Sequence, residues 1–204
     1  MLFDDSYKTI DGNAKGIYRD KGSKFIAYAY PIRSEDELKH LINNLKSEHS
    51  KARHFCYAYR LTPDRSVFRI NDDGEPSGTA GRPILNCLLS DDLTNILIIV
   101  VRYFGGTLLG VPGLINAYKT ASIEAIAASK IITKSINDVY EVHFEYMQMN
   151  DVMKLIKDEN LYVLAQNFDI HCILKFEVRK AQLNMILSKF DKIEGLIIKY
   201  LYTN

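Results

Sequence analysis

Ile96–Val101 is a run of six aliphatic residues. It is too short to cross a membrane and is bounded by turn residues, so it predicts a strand buried on both faces. Arg102, Tyr103 and Phe104 follow it, and then Gly105, Gly106, Gly110, Pro112 and Gly113. Leu114–Ser129 has no internal Gly or Pro and is rich in Ala, which predicts a helix. Earlier in the chain, Tyr7–Ile10, Gly16–Arg19 and Lys24–Ile32 predict strands, with a turn at Asp11-Gly12-Asn13. Phe25–Tyr30 is apolar without alternation, so it too is covered on both faces. Ser34 and Glu37 have the spacing of a capping box, ahead of Leu38, Leu41, Ile42 and Leu45 at helical spacing, and this helix should end near His49. His54–Leu61 and Val67–Ile70, joined by a Thr62–Arg65 turn, predict a hairpin. Gly81–Leu89 predicts a short helix opened by Arg82-Pro83.

From Ile136 the pattern changes to a simpler unit. Strands are predicted at Val139–Met149, Leu161–Phe168, His171–Val178 and Leu196–Tyr202. A helix of about two turns capped by Asp151 follows the first strand, and a second helix spans Lys180–Phe190. The order βαββαβ is that of a ferredoxin-like sandwich. His143 and His171 fall in strands, where hydrogen bonding or exposure is the ordinary role. The expected class is α+β with domains at 1–134 and 135–204.

Composition adds little and charge adds something. Apolar content of 47% with 25% charge is ordinary for a globular chain. The net charge of +1 advertises no polyanion partner for the whole molecule. Residues 1–70, however, hold 13 Lys/Arg against 9 Asp/Glu, whereas residues 137–204 hold 8 against 10. Attraction to nucleic acid would come from the N-terminal third. Cys56, Cys87 and Cys172 are far apart, without metal-ligand spacing, and read as buried and inert. Met1-Leu2-Phe3 is followed at once by Asp4 and Asp5, which argues against a signal peptide. A cytoplasmic protein without membrane association is expected.

Two stretches carry candidate chemistry. In the first, glycines between a buried strand and a helix allow close backbone approach, and the helix start offers unpaired N–H groups. That geometry suits an anion such as phosphate, with Arg102 at the mouth. It is not a Walker A loop, because Val111-Pro112 stands where Lys-Ser/Thr is required, and no G-x-G-x-x-G is present. The second is Asn71–Leu85, where Asp72, Asp73, Glu75, Ser77, Thr79 and Arg82 surround Gly74, Gly78 and Gly81. Such a set could hold a phosphate or a hard cation; its bland reading is a loop of local turns. His54, Arg60 and the acids would meet if the hairpin's far end folded over its start, making His54 a candidate proton shuttle.

DDGEPSGTAGRPIL followed by VVRYFGGTLLGVPGLINAY resembles the YigZ/IMPACT family. Gly22–Ala27 and His54–Arg60 resemble further blocks of it, so four ordered blocks lie across about the first 120 residues. The resemblance implies a ribosomal-protein-S5-domain-2-like N-terminal domain and a ferredoxin-like C-terminal domain similar to one of translation elongation factor G. The family turn commonly reads R-Y-F-G-G-I-K-L-G-A-G-G-L-V-R-A-Y. Here Leu108 stands for the Lys, Pro112 for a Gly and Asn116 for the Arg, so two basic groups are missing from the turn and its helix.

The family's eukaryotic members are translational regulators that bind a protein partner without catalysis. The resemblance implies a non-catalytic binding protein linked to translation, and its likeness to elongation-factor domains implies contact with RNA or the ribosome. Lys21, Lys24, Arg53, Arg60 and Arg102 would hold phosphates, and Tyr57 and Tyr103 would stack bases. No DNA specificity is evident. Two other readings stay open. One is a magnesium-dependent hydrolase or phosphotransferase, with the metal on Asp72, Asp73 and Glu75 and phosphate on Ser77, Thr79, Arg82, Arg102 and the Gly105–Gly113 turn. The other is an adaptor that binds only protein.

Overall fold

The computed structural model describes residues 5–169 and 171–204. The reading of Met1 to Asp4 lies outside the described residues. The chain divides into two compact units, Tyr7–Lys134 and Ser135–Asn204, the latter joined by Asp5 and Ser6.

The first unit is built on a five-stranded antiparallel sheet. Its strands are β2 (Ala14–Asp20), β3 (Ser23–Pro31), β4 (His54–Leu61), β5 (Val67–Asn71) and β6 (Ile96–Tyr103). The order across the sheet is β2-β3-β6-β4-β5. A separate two-stranded sheet pairs β1 (Ser6–Ile10) with β7 (Ile131–Ser135). Helix α1 (Asp36–Glu48) covers one face of the large sheet; α2 (Gly81–Ser90) and α3 (Gly110–Ala127) cover the other.

The all-aliphatic run becomes the central strand β6 because it must satisfy both faces. Ile96, Ile98 and Val100 pack toward α2 and α3, while Leu97, Ile99 and Val101 pack toward α1. All six are fully buried, as that run predicts. Small residues let α3 lie close. Ala117, Ala121 and Ala125, four apart on one stripe, have no exposed surface. A Cβ on Gly16 of β2 would fall 2.2 Å from the Ala125 nitrogen.

Several local expectations shift. Strand β7 was not legible, and the turn at 11–13 leads β1 into β2 without pairing them, since β1 pairs with β7. The Gly110 end of the glycine turn already belongs to α3. Helix α1 begins at Asp36 with Glu35 at its N-cap position, which makes no side-chain cap. Glu37 still accepts from the Arg33 and Ser34 backbone N–H groups at 2.7 and 3.2 Å. The Ser34 hydroxyl does not take its predicted half of the box, because the helix starts one residue later than that box requires.

The second unit carries β8 (Asn137–Phe144), α4 (Met149–Asp158), β9 (Tyr162–Phe168), β10 (Cys172–Arg179), α5 (Leu183–Phe190) and β11 (Ile197–Thr203). The sheet order is β11-β8-β10-β9, antiparallel throughout. Both helices lie on one face, over Val142, Phe144, Leu174 and Phe176. Strand β8 stops at Phe144 because a 3-10 turn, Tyr146–Gln148, follows it, closed by a reciprocal Glu145/Gln148 capping box. Asp151 therefore sits in the first turn of α4 instead of capping it. A second 3-10 turn, Lys180–Gln182, precedes α5.

Candidate functional site

Two neighbouring rows of side chains cross the large sheet at the end where β6 leaves it. Register sets them. Tyr18 pairs with Phe25, Phe25 with Arg102, and Arg102 with His54. One position along, Arg19 pairs with Lys24 and Lys24 with Tyr103, and Arg53 directly precedes His54. Successive residues of a strand face opposite ways. The first row therefore faces α3 and the second faces the α1 side.

The first row organises a buried network. Arg102 Nη1 donates to Glu75 Oε1 at 2.6 Å. The two side chains keep only 6% and 3% of their surface exposed. Tyr118 of α3 donates its hydroxyl to the same oxygen at 2.8 Å, and Cys56 Sγ lies 3.3 Å from that hydroxyl. Burial and the neighbouring Cys56 thiol push the Tyr118 hydroxyl well above its ordinary pKa, so it remains a donor. Burial likewise pushes the Cys56 thiol up. The Arg102 guanidinium lies 5.4 Å from the Phe25 ring centroid and 5.6 Å from that of Phe104. Phe25 and Tyr118 meet edge to face at 5.1 Å.

The acidic loop is drawn into this network by separate tasks. Asp72 accepts from Gly78, Ala80 and Gly81 N–H groups at 2.8–3.0 Å, which satisfies the start of α2. Asp73 accepts from Phe55 N–H at 2.6 Å. His54 Nδ1 contacts the Asp73 carbonyl at 2.8 Å, so Nδ1 carries the proton. His54 Nε2 then faces Glu75 Oε1 at 3.9 Å. The three carboxylates point at backbone and Arg102, and among the described residues no group of three His, Cys, Asp or Glu is placed to hold a metal ion. Thr79 is buried and donates to the Pro76 carbonyl at 2.7 Å; Ser77 and Arg82 are exposed.

The glycine turn differs from its sequence reading. Arg102 is engaged by Glu75 and is not a free cation at an open mouth. Gly105 packs on backbone: a Cβ there would fall 1.9 Å from the Gly22 carbonyl carbon. Its N–H donates to the Ser23 hydroxyl at 3.1 Å. The close approach that glycine permits is thus made to another strand end. Gly106 and Gly110 take positive φ, +87° and +69°, which explains glycine there. A Cβ on Gly113 would press on Leu109 at 3.0 Å. Phe104, Leu108 and Val111 stand exposed around the turn, Leu108 by 83%.

The second row is different in kind. Arg19 and Arg53 are exposed and Lys24 is half-buried; none of the three forms an ion pair among the described residues. Lys15 and Ile17, on the same side of β2, are exposed as well. Lys15 Nζ stands 5.1 Å over the Tyr28 ring. Behind the row, buried His49 bridges two tyrosines, with Nε2 at 2.7 Å from the Tyr28 hydroxyl and Nδ1 at 2.8 Å from that of Tyr103. Burial lowers the His49 pKa, with Lys15 and Lys24 adding to it against an opposing Glu48. Lys21 is exposed in the turn between β2 and β3.

Two residues expected here are elsewhere. Tyr57 is 7% exposed and lies parallel to Tyr59 in the core under α1, so it offers no face to a base. Arg60, six residues along β4 from His54, binds Asp92 at 3.1 Å at the opposite end of the strand. The antiparallel hairpin does bring the acidic loop back to His54, whereas Arg60 lies beside the hairpin's turn. Tyr118, Arg19 and Lys15 were missed. The Tyr118 signal was a large polar aromatic in the Ala-rich helix; that of Arg19 was its alternation with Lys15 and Ile17.

A family profile described as the Impact N-terminal domain matches residues 21–126, more than half of the chain and all of both rows except β2. The protein belongs to the IMPACT family. An IMPACT family member of Haemophilus influenzae is 34% identical over 158 residues, covering 76% of this chain and 77% of that one. The IMPACT family member YigZ of Escherichia coli is 30% identical over 164 residues, covering 79% and 80%. A solved structure titled as a hypothetical protein is 25% identical, covers 97% of this chain and 98% of its own, and has a TM-score of 0.74. Leu108 and Asn116 are the positions at which the resemblance implies Lys and Arg. Here both positions are exposed, Leu108 adding apolar surface and Asn116 reaching the Tyr18 hydroxyl at 3.5 Å. Among the described residues no helix is long and apolar enough to cross a membrane.

Proposed function

We propose that this IMPACT-family chain is a non-catalytic binding protein linked to translation, and that it contacts RNA or the ribosome through the basic row of its first unit. On this reading that unit is the S5-domain-2-like domain and the second is the ferredoxin-like one. Family membership supports the link to translation. The observation that carries the RNA contact is the row Arg19–Lys24–Tyr103–Arg53, with Lys15 and Lys21 beside it. Three cations without carboxylate partners flank the half-buried Tyr103 on a face that α1 covers only in part. Strands about 4.8 Å apart set these groups over roughly 14 Å, a reach suited to successive phosphates of one strand with Tyr103 against a base.

The role assigned to each residue follows from its surroundings. Arg102, His54 and Glu75 are scaffold: they hold the acidic loop and α3 in place under the row. Arg19, Lys24, Arg53 and Lys21 contact phosphate. Ribosome co-sedimentation across a salt series tests this. Each lost phosphate contact should flatten the log–log salt slope by roughly 0.7–0.9, so Arg19→Ala and Lys24→Ala should each do so, and Arg60→Ala should not. Binding that ignores salt, or that survives loss of Arg19, Lys24 and Arg53 together, overturns the reading and favours an adaptor that binds protein alone.

A further inference from the structure

Helices α2 and α3 leave a groove on their outer side, away from the sheet. Its cavity holds about 570 Å³. Pro83 and Cys87, four apart on α2, lie along it, and Ile115, Lys119 and Ile123, each four apart on α3, form the facing ridge. Pro83 and Cys87 are buried, whereas Ile115 and Ile123 keep 39% and 44% of their surface exposed. Cys87 Sγ lies 3.6 Å from the Lys119 carbonyl, so the helices meet at mid-groove. Burial pushes the Cys87 thiol up to about 11, which makes it part of an apolar wall and not a nucleophile.

Charge on the rim is unevenly placed. Arg82 opens α2 and Lys119 sits between the two isoleucines; neither forms an ion pair among the described residues. Arg60 and Arg102, by contrast, are each paired with a carboxylate. Asp91 stands at the other end of the groove. Nine residues of helix separate it from Arg82, about 13 Å. The volume is that of a small-molecule site, with an apolar lining and a few polar groups that orient the ligand.

We propose that the α2–α3 groove binds a small amphiphilic monoanion: an aliphatic or aromatic body with one carboxylate. The body lies on Pro83, Cys87, Ile115 and Ile123, and the carboxylate meets Arg82 and Lys119. Asp91 repels a second anionic group at the far end, so a dianion of equal length binds less well. The site is independent of the basic row, with which it shares no residue.

The test uses the full chain and four eight-carbon probes: octanoate, octanedioate, 1-octanol and octylammonium, with 2-naphthoate as an aromatic monoanion. Binding is read by calorimetry and by the shift in melting temperature. Saturable binding of octanoate or 2-naphthoate is expected, at least about tenfold tighter than that of octanol, octylammonium or octanedioate. The doubly reversed variant Arg82→Glu/Lys119→Glu should lose at least tenfold in affinity while melting as the parent does, since both side chains are exposed. Lys24→Ala should bind octanoate unchanged. Absence of saturable binding at millimolar probe, equal binding of octanol, or full affinity in the doubly reversed variant overturns the proposal.

Discussion

Two rows of side chains lie one residue apart on the same strands and have opposite fates. Tyr18, Phe25, Arg102 and His54 face α3; Phe25 and Arg102 are buried in a network closed by Glu75 and Tyr118, and Tyr18 and His54 are half-buried at its margins. Arg19, Lys24, Tyr103 and Arg53 face the other way and remain open or half-open. The first row carries one Arg and one His, the second three Lys or Arg. Cover differs as well: α3 and the acidic loop lie over the first row, whereas α1 leaves the β2 end of the opposite face uncovered. An Arg on this sheet is therefore buried or open according to the parity of its position, and Arg102 and Tyr103, adjacent in sequence, face opposite sides of it.

The largest expected effect comes from breaking the buried row. Glu75→Ala leaves the Arg102 guanidinium buried and unpaired, which costs about 3–5 kcal/mol. Urea unfolding should show that loss, and Lys24→Ala on the open row should stay within about 0.5 kcal/mol of the parent. Equal effects on both rows would erase the distinction drawn between them.

Gly105→Ala tests how tightly the strand ends are locked. Its Cβ has nowhere to go against Gly22, and overpacking of this kind costs about 1–3 kcal/mol. Gly12→Ala meets no neighbour within 4 Å, but its φ of +95° carries strain of its own, so the smaller loss expected there measures strain without the clash.

A smaller effect separates hydroxyl from ring at Tyr118. Tyr118→Phe keeps the contact with Phe25 and removes one donor to Glu75. A loss of about 1–3 kcal/mol is expected, toward the upper end because the acceptor is charged. Loss of more than that would mean that the hydroxyl also holds Cys56.

The smallest effect is a pH dependence behind the open row. Burial lowers the His49 pKa, so the folded state favours the neutral ring. Below about 6.5, the ordinary His value, the unfolded chain binds a proton that the folded chain refuses. Stability is then complete above that pH and falls as pH drops through it toward the folded value. Replacing His49 by Gln should flatten that slope between pH 7 and pH 5 in melting experiments. An unchanged slope would remove His49 as its source.

Much of the frame was legible in order. Six aliphatic residues without alternation could satisfy burial only as a central strand, and β6 is that strand. The 3.6-residue stripe of Leu38, Leu41, Ile42 and Leu45 could only be a helix laid on a core. The βαββαβ order of the second unit followed from its periodicity. Strand β7 was illegible because Ile131–Ser135 carries too little apolar pattern to stand out, and its pairing with β1 is long-range. Asp151 was misassigned because a 3-10 turn, which has no strong pattern of its own, intervenes before α4.

The chemistry was legible as residue types and not as partners. The sequence alone determined that a glycine-rich turn follows a buried strand, that an acidic loop precedes a short helix, and that the N-terminal third carries the excess of cations. Period two separates Arg102 from Tyr103, yet the sequence reading set both in one nucleic-acid contact. Only the tertiary structure decided that Glu75 reaches across 27 residues to neutralise Arg102, that Arg60 answers Asp92 at the far end of its strand, and that Tyr57 lies inside. The reason is physical. A charge's role depends on which opposite charge the fold brings within a few ångströms and on how much water remains between them, and neither quantity is written in the local pattern.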